Sequence, residues 1–361
     1  MAKKMNGLFR DLIVHPGQSL QDYLQENSIT QRDFSVRVGV SAKHISTIVN
    51  GKADITSELA RKFEIATGIP AAFWINLQAN YDLQLAEYEA RQAVTDDEIA
   101  IARKLEKIYK YTVEQGLLPP YLKAEALVLA LHKFLAVNSL MAVPNLGMNS
   151  LFRASARGAD PYILTTWLKV CEALAAREDV SSQLDVERLT KSIPIIKELM
   201  FEKDPNQMQR ELKKVFAECG IRFCIVKHFT GAPVQGFIHL NSDGTLTLCL
   251  TLRQKFADVF WFTLFHEIGH IVLGHATNRF IDVKDENSPS EQIADDFAAD
   301  CLIDSDRFEA FAMRFSFPIE DIKLFAKEES VLPSIVIGRL CHKGLMQWKD
   351  VSHWRDHFDW E

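Results

Sequence analysis

Cysteine is scarce in this chain. Its 361 residues hold six, at 171, 219, 224, 249, 301 and 341, and no two stand in Cys-x-x-Cys spacing. A chain of this size with so few cysteines is not a disulfide-stapled secreted scaffold, so reduced thiols and a cytoplasmic location are expected. No signal peptide is expected either: Lys3 and Lys4 precede only a short apolar patch, broken by Arg10 and Asp11. Long apolar runs are missing. The longest stretch, around 256–272, is interrupted by Asp258, His266, Glu267 and His270. It reads as a buried helix rather than a bilayer span, and no membrane partner is expected.

What is present describes an ordinary globular protein of two or three domains, 47% hydrophobic and 25% charged. The net charge of -7 is unevenly placed. Residues 1–80 carry nine Lys/Arg against seven Asp/Glu, whereas residues 281–310 carry ten acids against two bases. That split suits a front that touches nucleic acid and a back that bears a metal.

The densest chemistry lies in Phe265-His266-Glu267-Ile268-Gly269-His270. Two histidines four apart share one face of a helix, so both imidazoles reach a single ion. Glu267 then stands beside the metal without ligating it, as a general base requires. His-Glu-x-x-His on a helix is the signature of a zinc hydrolase. Two buried core histidines are the plain alternative.

A third ligand is available downstream. Ser288-Pro289-Ser290-Glu291 opens a new helix, on which Glu291, Ala294, Asp295 and Ala298 share a face. The alanines permit close approach to the first helix. Glu291 would then reach a Zn2+ ion and leave its fourth position open. Asp295 would accept a hydrogen bond from the outer nitrogen of a ligand histidine. Ser288 and Glu291 also make a capping box, so a purely local role for Glu291 stays open. A metzincin is excluded by count, because Leu273 and Ala276 occupy its glycine and third-histidine positions. His275 is out of register and reads as a helix-end histidine supporting the site from behind. A zinc ion lowers the pKa of a coordinated water to about 7, and Glu267 would take its proton. A second oxyanion donor is needed, and His228, His239 and His275 are the candidates.

Residues 18–90 read as five short helices: 19–26, 31–38, 42–49, 56–68 and 70–87. Within them, Gln31–Gly51 fits a DNA-binding helix-turn-helix. Ser35 is the small residue where the two helices touch, Gly39 makes the left-handed turn, and Val40, Ile45 and Ile48 face inward. Ala42, Lys43, His44, Thr47 and Asn50 are left facing the major groove, with Ser41 at the helix start. Gln31 and Arg32 would meet the phosphate backbone. An αα-hairpin with a fortuitous glycine is the alternative. A homodimer on two half-sites is compatible with this reading. Further on, helices are expected over 98–115, 122–134, 161–177 and 186–202. Three strands follow at 221–227, 236–240 and 245–250, the last two joined through Asn241-Ser242-Asp243-Gly244. Two or three helices then end near Leu345.

Both ends resemble known families. His15-Pro16-Gly17, the helix-turn-helix, Phe73-Trp74 and Tyr81-Asp82 resemble the Xre family, in particular HigA-type antitoxins. "FHEIGHIVLGH", "EQIADDFAADCLI" and "SIVIGRL" resemble the ImmA/IrrE metallopeptidases, although many of these carry Glu-Ala-Asn where this chain has Ile293-Ala294-Asp295. The resemblance implies a mainly α protein. Residues 1–92 would be a five-helix lambda-repressor-like DNA-binding domain, 93–185 a helical middle region, and 186–361 an α+β gluzincin-like domain with a small three-stranded sheet. It implies His266, His270 and Glu291 as zinc ligands and Glu267 as base. The implied partners are double-stranded operator DNA, including the chain's own promoter, and a protein, either an Xre-type repressor to be cleaved or a toxin. An antitoxin or autorepressor whose peptidase-like half is a zinc-stabilised sensor or partner-binding module is the second expectation.

Overall fold

The computed structural model describes residues 10–120, 123–146, 159–251, 256–275, 280–282 and 289–357; Ser288, Phe358 and Trp360 lie outside them. The chain divides into two compact units, Met1–Ala102 with Tyr121–Ala130, and Arg103–Pro120 with Leu131–Glu361. The span 93–185, expected as one middle region, is therefore shared between them.

The first unit begins with α1 (Pro16–Glu26), α2 (Gln31–Val38), α3 (Ala42–Val49), α4 (Ser57–Thr67) and α5 (Ala71–Gln92). Local chemistry sets their ends. Thr30, Ser41 and Thr56 each accept a backbone N–H at a helix start, satisfying donors the helix leaves unpaired. Gly39 ends α2 in the left-handed region at φ 65°. Leu20, Leu24, Phe34, Val38, Ile45, Ile48, Phe63 and Trp74 form the core. Gly17 allows α1 to close on α3, since a Cβ there would lie 1.8 Å from the Ile48 carbonyl oxygen.

The expected helix 98–115 is two, α6 (Asp96–Lys104) and α7 (Glu106–Glu114). They break at Leu105, which has ψ 0° and is fully buried. Next come α8 (Ala124–Leu135), α9 (Pro161–Ala175) and α10 (Val186–Glu198). One segment, Ala124–Asn145, is long and apolar enough to cross a membrane by length and composition, which the sequence reading did not single out. As folded it is not one helix: α8 stops at Leu135, Ala136 has φ 55°, and a separate 3-10 turn runs Leu140–Asn145. A hydrocarbon core demands unbroken backbone pairing.

The second unit holds a sheet of four strands, not the three expected: β1 (Ile221–Val226), β2 (Gly236–Leu240), β3 (Leu246–Thr251) and β4 (Phe280–Asp282), in the order β1-β3-β2-β4. β1 runs parallel to β3, while β2 is antiparallel to both β3 and β4. The three-residue β4 is too short to leave a periodic signal. The helix α11 (Pro205–Glu218) was also not foreseen, although Asp204 caps it, Pro205 opens it, and Met208, Leu212 and Phe216 recur on one buried face. It packs on β1.

Behind the sheet runs α12 (Ala257–Val272), buried over most of its circumference. It packs against α13 (Pro289–Leu302) and α16 (Pro333–His342). Between these last two lie α14 (Ser305–Ala312) and α15 (Ile319–Glu328), and a short α17 (Trp348–Val351) follows. Trp261, Leu264, Phe265 and Ile268 of α12 are fully buried. Each such side chain contributes about 1.5–3 kcal/mol by burial, so the helix that carries the histidines is a rigid element of the core. Gly269 and Ala294 bring α12 and α13 together: a Cβ on Gly269 would meet the Phe297 ring at 2.9 Å and the Ala294 carbonyl at 3.4 Å.

Candidate metal centre and nucleic-acid interface

One helical turn of α12 separates His266 from His270, and their Nε2 atoms lie 3.0 Å apart. From α13, Glu291 points its carboxylate at both, with Oε2 3.2 Å from His266 Nε2 and Oε1 3.3 Å from His270 Nε2. Ligands about 2.0–2.1 Å from a tetrahedral zinc ion stand roughly 3.3 Å from one another. Two imidazoles and one carboxylate with these separations fit such an ion. Burial by itself would raise the Glu291 carboxyl, but hydrogen bonds and charge from His266 and His270 outweigh it and bring it down to about 2.

Each histidine is also held from behind. His266 Nδ1 lies 2.8 Å from Asp295 Oδ1, the relation expected of a residue orienting a ligand ring. His270 Nδ1 lies 3.0 Å from His275 Nδ1. His275 gets there because α12 ends at Val272. Gly274, at φ 77°, turns the chain back, and His275 N donates to the His270 carbonyl at 2.9 Å. On a continued helix His275 would have pointed away.

Glu267 is fully buried beside the two histidines. Its carboxylate occupies a place vacated by Gly236 at the start of β2, where a Cβ would fall 1.7 Å from Glu267 Oε1. The sequence reading passed over Gly236. A glycine opening a strand is a signal for close approach, but only the fold names what approaches. His266, Glu291 and Asp295 open into a cavity of about 1220 Å³, also lined by Gln235, Phe262 and Arg339. His228 and His239 do not line it.

In the first unit the predicted DNA face is drawn from α2 and α3. Arg32, Ser41, Ala42, Lys43 and Asn50 are exposed, and Gln31, His44 and Thr47 are half-buried. Several have local duties. Ser41 caps α3 by accepting from His44 N at 3.1 Å. Thr47 Oγ1 donates to the His44 carbonyl at 2.7 Å. Asn50 lies one residue past α3, and its amide donates to the Ser46 carbonyl at 2.7 Å. Ser46, half-buried on the same outer face, was missed by the sequence reading. The inner side is as expected, with Ile45 and Ile48 fully buried, Ser35 nearly so, and Gly39 in the left-handed turn.

Comparison with known proteins bears on this unit. Residues 20–74 match the family described as Helix-turn-helix. The uncharacterised HTH-type transcriptional regulator YddM of Escherichia coli is 32% identical over 72 residues, covering 20% of this chain and 77% of that protein. Virulence-associated protein I of Dichelobacter nodosus is 31% identical over 77 residues, covering 21% of this chain and 71% of its own. Among solved structures, a putative antidote protein of a plasmid maintenance system from Nostoc punctiforme is 32% identical, covering 23% of this chain and 97% of that one, with a TM-score of 0.21. The antitoxin HigA of Pseudomonas aeruginosa, solved with the higBA promoter, is 26% identical, covering 23% and 96%, also with a TM-score of 0.21.

Proposed function

Because this chain belongs through its N-terminal unit to the Xre-like helix-turn-helix family, we propose that it is a transcriptional regulator of double-stranded operator DNA that also carries a zinc-dependent endopeptidase. The operator includes its own promoter. The peptidase relieves repression by cleaving an Xre-type repressor or partner protein. The DNA half of the reading rests on the family and on the exposed face of Arg32, Lys43 and their neighbours. Phosphate contacts from such cations provide affinity, and base-edge contacts from α3 provide sequence preference.

The peptidase half is carried by one observation: two histidine nitrogens and a carboxylate lie within 3.3 Å of one another, His266 and Glu291 among them lining a cavity, and the Glu267 carboxylate is buried. A zinc ion held by His266, His270 and Glu291 would supply a Lewis acid for the scissile carbonyl. Glu267 takes the proton of the attacking water and returns it to the leaving amine. Asp295 and His275 keep the two rings aimed. A purely structural site has no use for Glu267, which is why the enzyme is preferred to an antitoxin or autorepressor with a zinc-stabilised partner-binding module.

A reporter assay separates the two. Glu267→Gln keeps the shape and the three ligands but removes the proton acceptor. Wild type derepresses its target genes under inducing conditions, whereas Glu267→Gln does not. Equal behaviour of the two under every condition, with only His270→Ala failing, would establish the antitoxin reading instead.

A further inference from the structure

Hydrolysis of a peptide at this centre needs a donor for the carbonyl oxygen as charge builds on it. The sequence offered His228, His239 and His275. None lines the cavity, and His275 is spent on His270. The amide and cationic side chains that do line it are Gln235, Gln292, Arg339, Lys343 and Arg355. Four are committed elsewhere. Gln292 Nε2 donates to Asp296 at 3.1 Å, and Lys343 pairs with Glu309 at 2.9 Å. Arg339 is held by the Ala299 and Ile303 carbonyls, and Arg355 is clamped on Asp258 with both side chains under 8% exposed. Among these five amide and cationic side chains Gln235 is different: among the described residues its side-chain amide has no hydrogen bond, although Thr263, Ser305, His342 and Trp348 also line the cavity.

Its position is fixed by the sheet. The Gln235 carbonyl accepts from Thr251 N at 2.9 Å. The next residue, Gly236, stands in register with Leu250 on one side and Asp282 on the other. This pairing anchors the backbone that carries the Gln235 side chain. The same two residues meet both halves of the site: Gly236 abuts the Glu267 carboxylate, and Gln235 lines the cavity with His266 and Glu291.

We propose that Gln235 is a catalytic residue, its side-chain N–H donating to the scissile carbonyl oxygen, and that Gly236 is the positioning residue that leaves room for Glu267. This rests on the hydrolase reading. In the step, the water oxygen adds to the carbonyl carbon and the C=O π pair moves onto the oxygen facing Gln235. The water proton goes to Glu267. The pair then returns, the C–N bond breaks, and the proton passes to the leaving amine.

The test uses the full-length zinc-loaded chain with two probes, fluorescein-labelled casein and a phosphinic pseudodipeptide whose tetrahedral oxygens imitate the transition state. Gln235→Ala should lower kcat on casein by about 10²–10³-fold, the cost of one oxyanion donor, with KM little changed and zinc content intact. Phosphinate affinity, read by calorimetry, should fall in parallel. Gln235→Glu keeps the shape but replaces the donor with an acceptor, and should lose as much. Gln235→Asn should recover part. If wild type cleaves casein and Gln235→Ala matches it, the assignment is overturned while the hydrolase reading stands. If wild type cleaves nothing, the hydrolase reading fails, and equal phosphinate affinity in the two proteins overturns the assignment as well.

Discussion

The two candidate sites of this protein are built in opposite ways. The DNA face comes from twenty consecutive residues, Gln31–Asn50, on the surface of the first unit. The candidate metal centre gathers His266 and His270 from α12, Glu291 and Asp295 from α13, and Gly236 from β2, and most of it is buried. A local, exposed site tolerates substitutions that change its chemistry without touching the fold. A dispersed, buried one couples every ligand to the packing of the elements that carry it. The contrast predicts that damage at the centre is large and all-or-none, and that damage on the DNA face is graded.

The sharpest break should come from His270→Ala. The wild-type chain is expected to hold about one zinc per protomer, and the variant, left with two ligands, to hold none after dialysis. Mass-spectrometric metal analysis reads this directly, and stoichiometric zinc in the variant would remove the assignment. DNA binding should survive the change, because the DNA face belongs to the other unit.

Asp295→Ala tests the layer behind the ligands. It removes the oxygen 2.8 Å from His266 Nδ1 but no ligand, and zinc affinity should drop about 10–100-fold. Competition with a fluorescent chelator measures it. An unchanged affinity would mean that packing against Phe262 alone aims the His266 ring.

On the DNA face the effects are smaller. Lys43→Ala should weaken operator binding at every sequence alike and reduce the slope of log affinity against log salt by about one ion. Fluorescence anisotropy at several salt concentrations gives the slope. A loss confined to one base position would instead make Lys43 a base reader.

The smallest effect concerns His15. Burial holds its imidazole below the ordinary value of 6.5, partly offset by the Asp54 and Asp82 carboxylates. The neutral ring caps α1 by accepting from Gly17 N at 2.9 Å and packs edge-on against Tyr81. A depressed histidine contributes stability that is present above pH 6.5 and is lost as pH falls through its lower folded value. Thermal unfolding of the full chain should therefore show a drop in Tm between neutral and mildly acidic pH that shrinks in His15→Asn. An identical drop in both proteins would show that protonation of His15 is not linked to folding.

The two sites were also unequally legible. The helix-turn-helix could be read almost residue by residue, including the Ala42–Val49 boundaries and the Gly39 turn, because caps, a glycine and helical periodicity all act within one or two turns. The same locality let His266 and His270 be paired. The signals of α11 are equally local, an Asp204-Pro205 start and the Met208, Leu212 and Phe216 spacing, but they adjoin the β-rich texture of 221–251 and do not stand out from it. The break at Leu105 and the three-residue β4 left little pattern to read.

What the sequence determined by itself was every relation spanning a few residues: the helix ends, the Asn241–Gly244 turn, the shared face of the two histidines. Glu291 and Asp295 could be nominated from their spacing along α13, but not aimed. Only the tertiary structure decided that Glu291 faces the histidines, that His275 returns past Gly274 to meet His270, and that Gly236 of β2 meets Glu267 while Gln235, the residue before it, lines the cavity. Those relations join residues up to 56 positions apart, from Gln235 to Glu291. They are fixed by how α12, α13 and the sheet exclude water from a common core. Burial is non-directional and summed over many side chains, so no short stretch of sequence carries it.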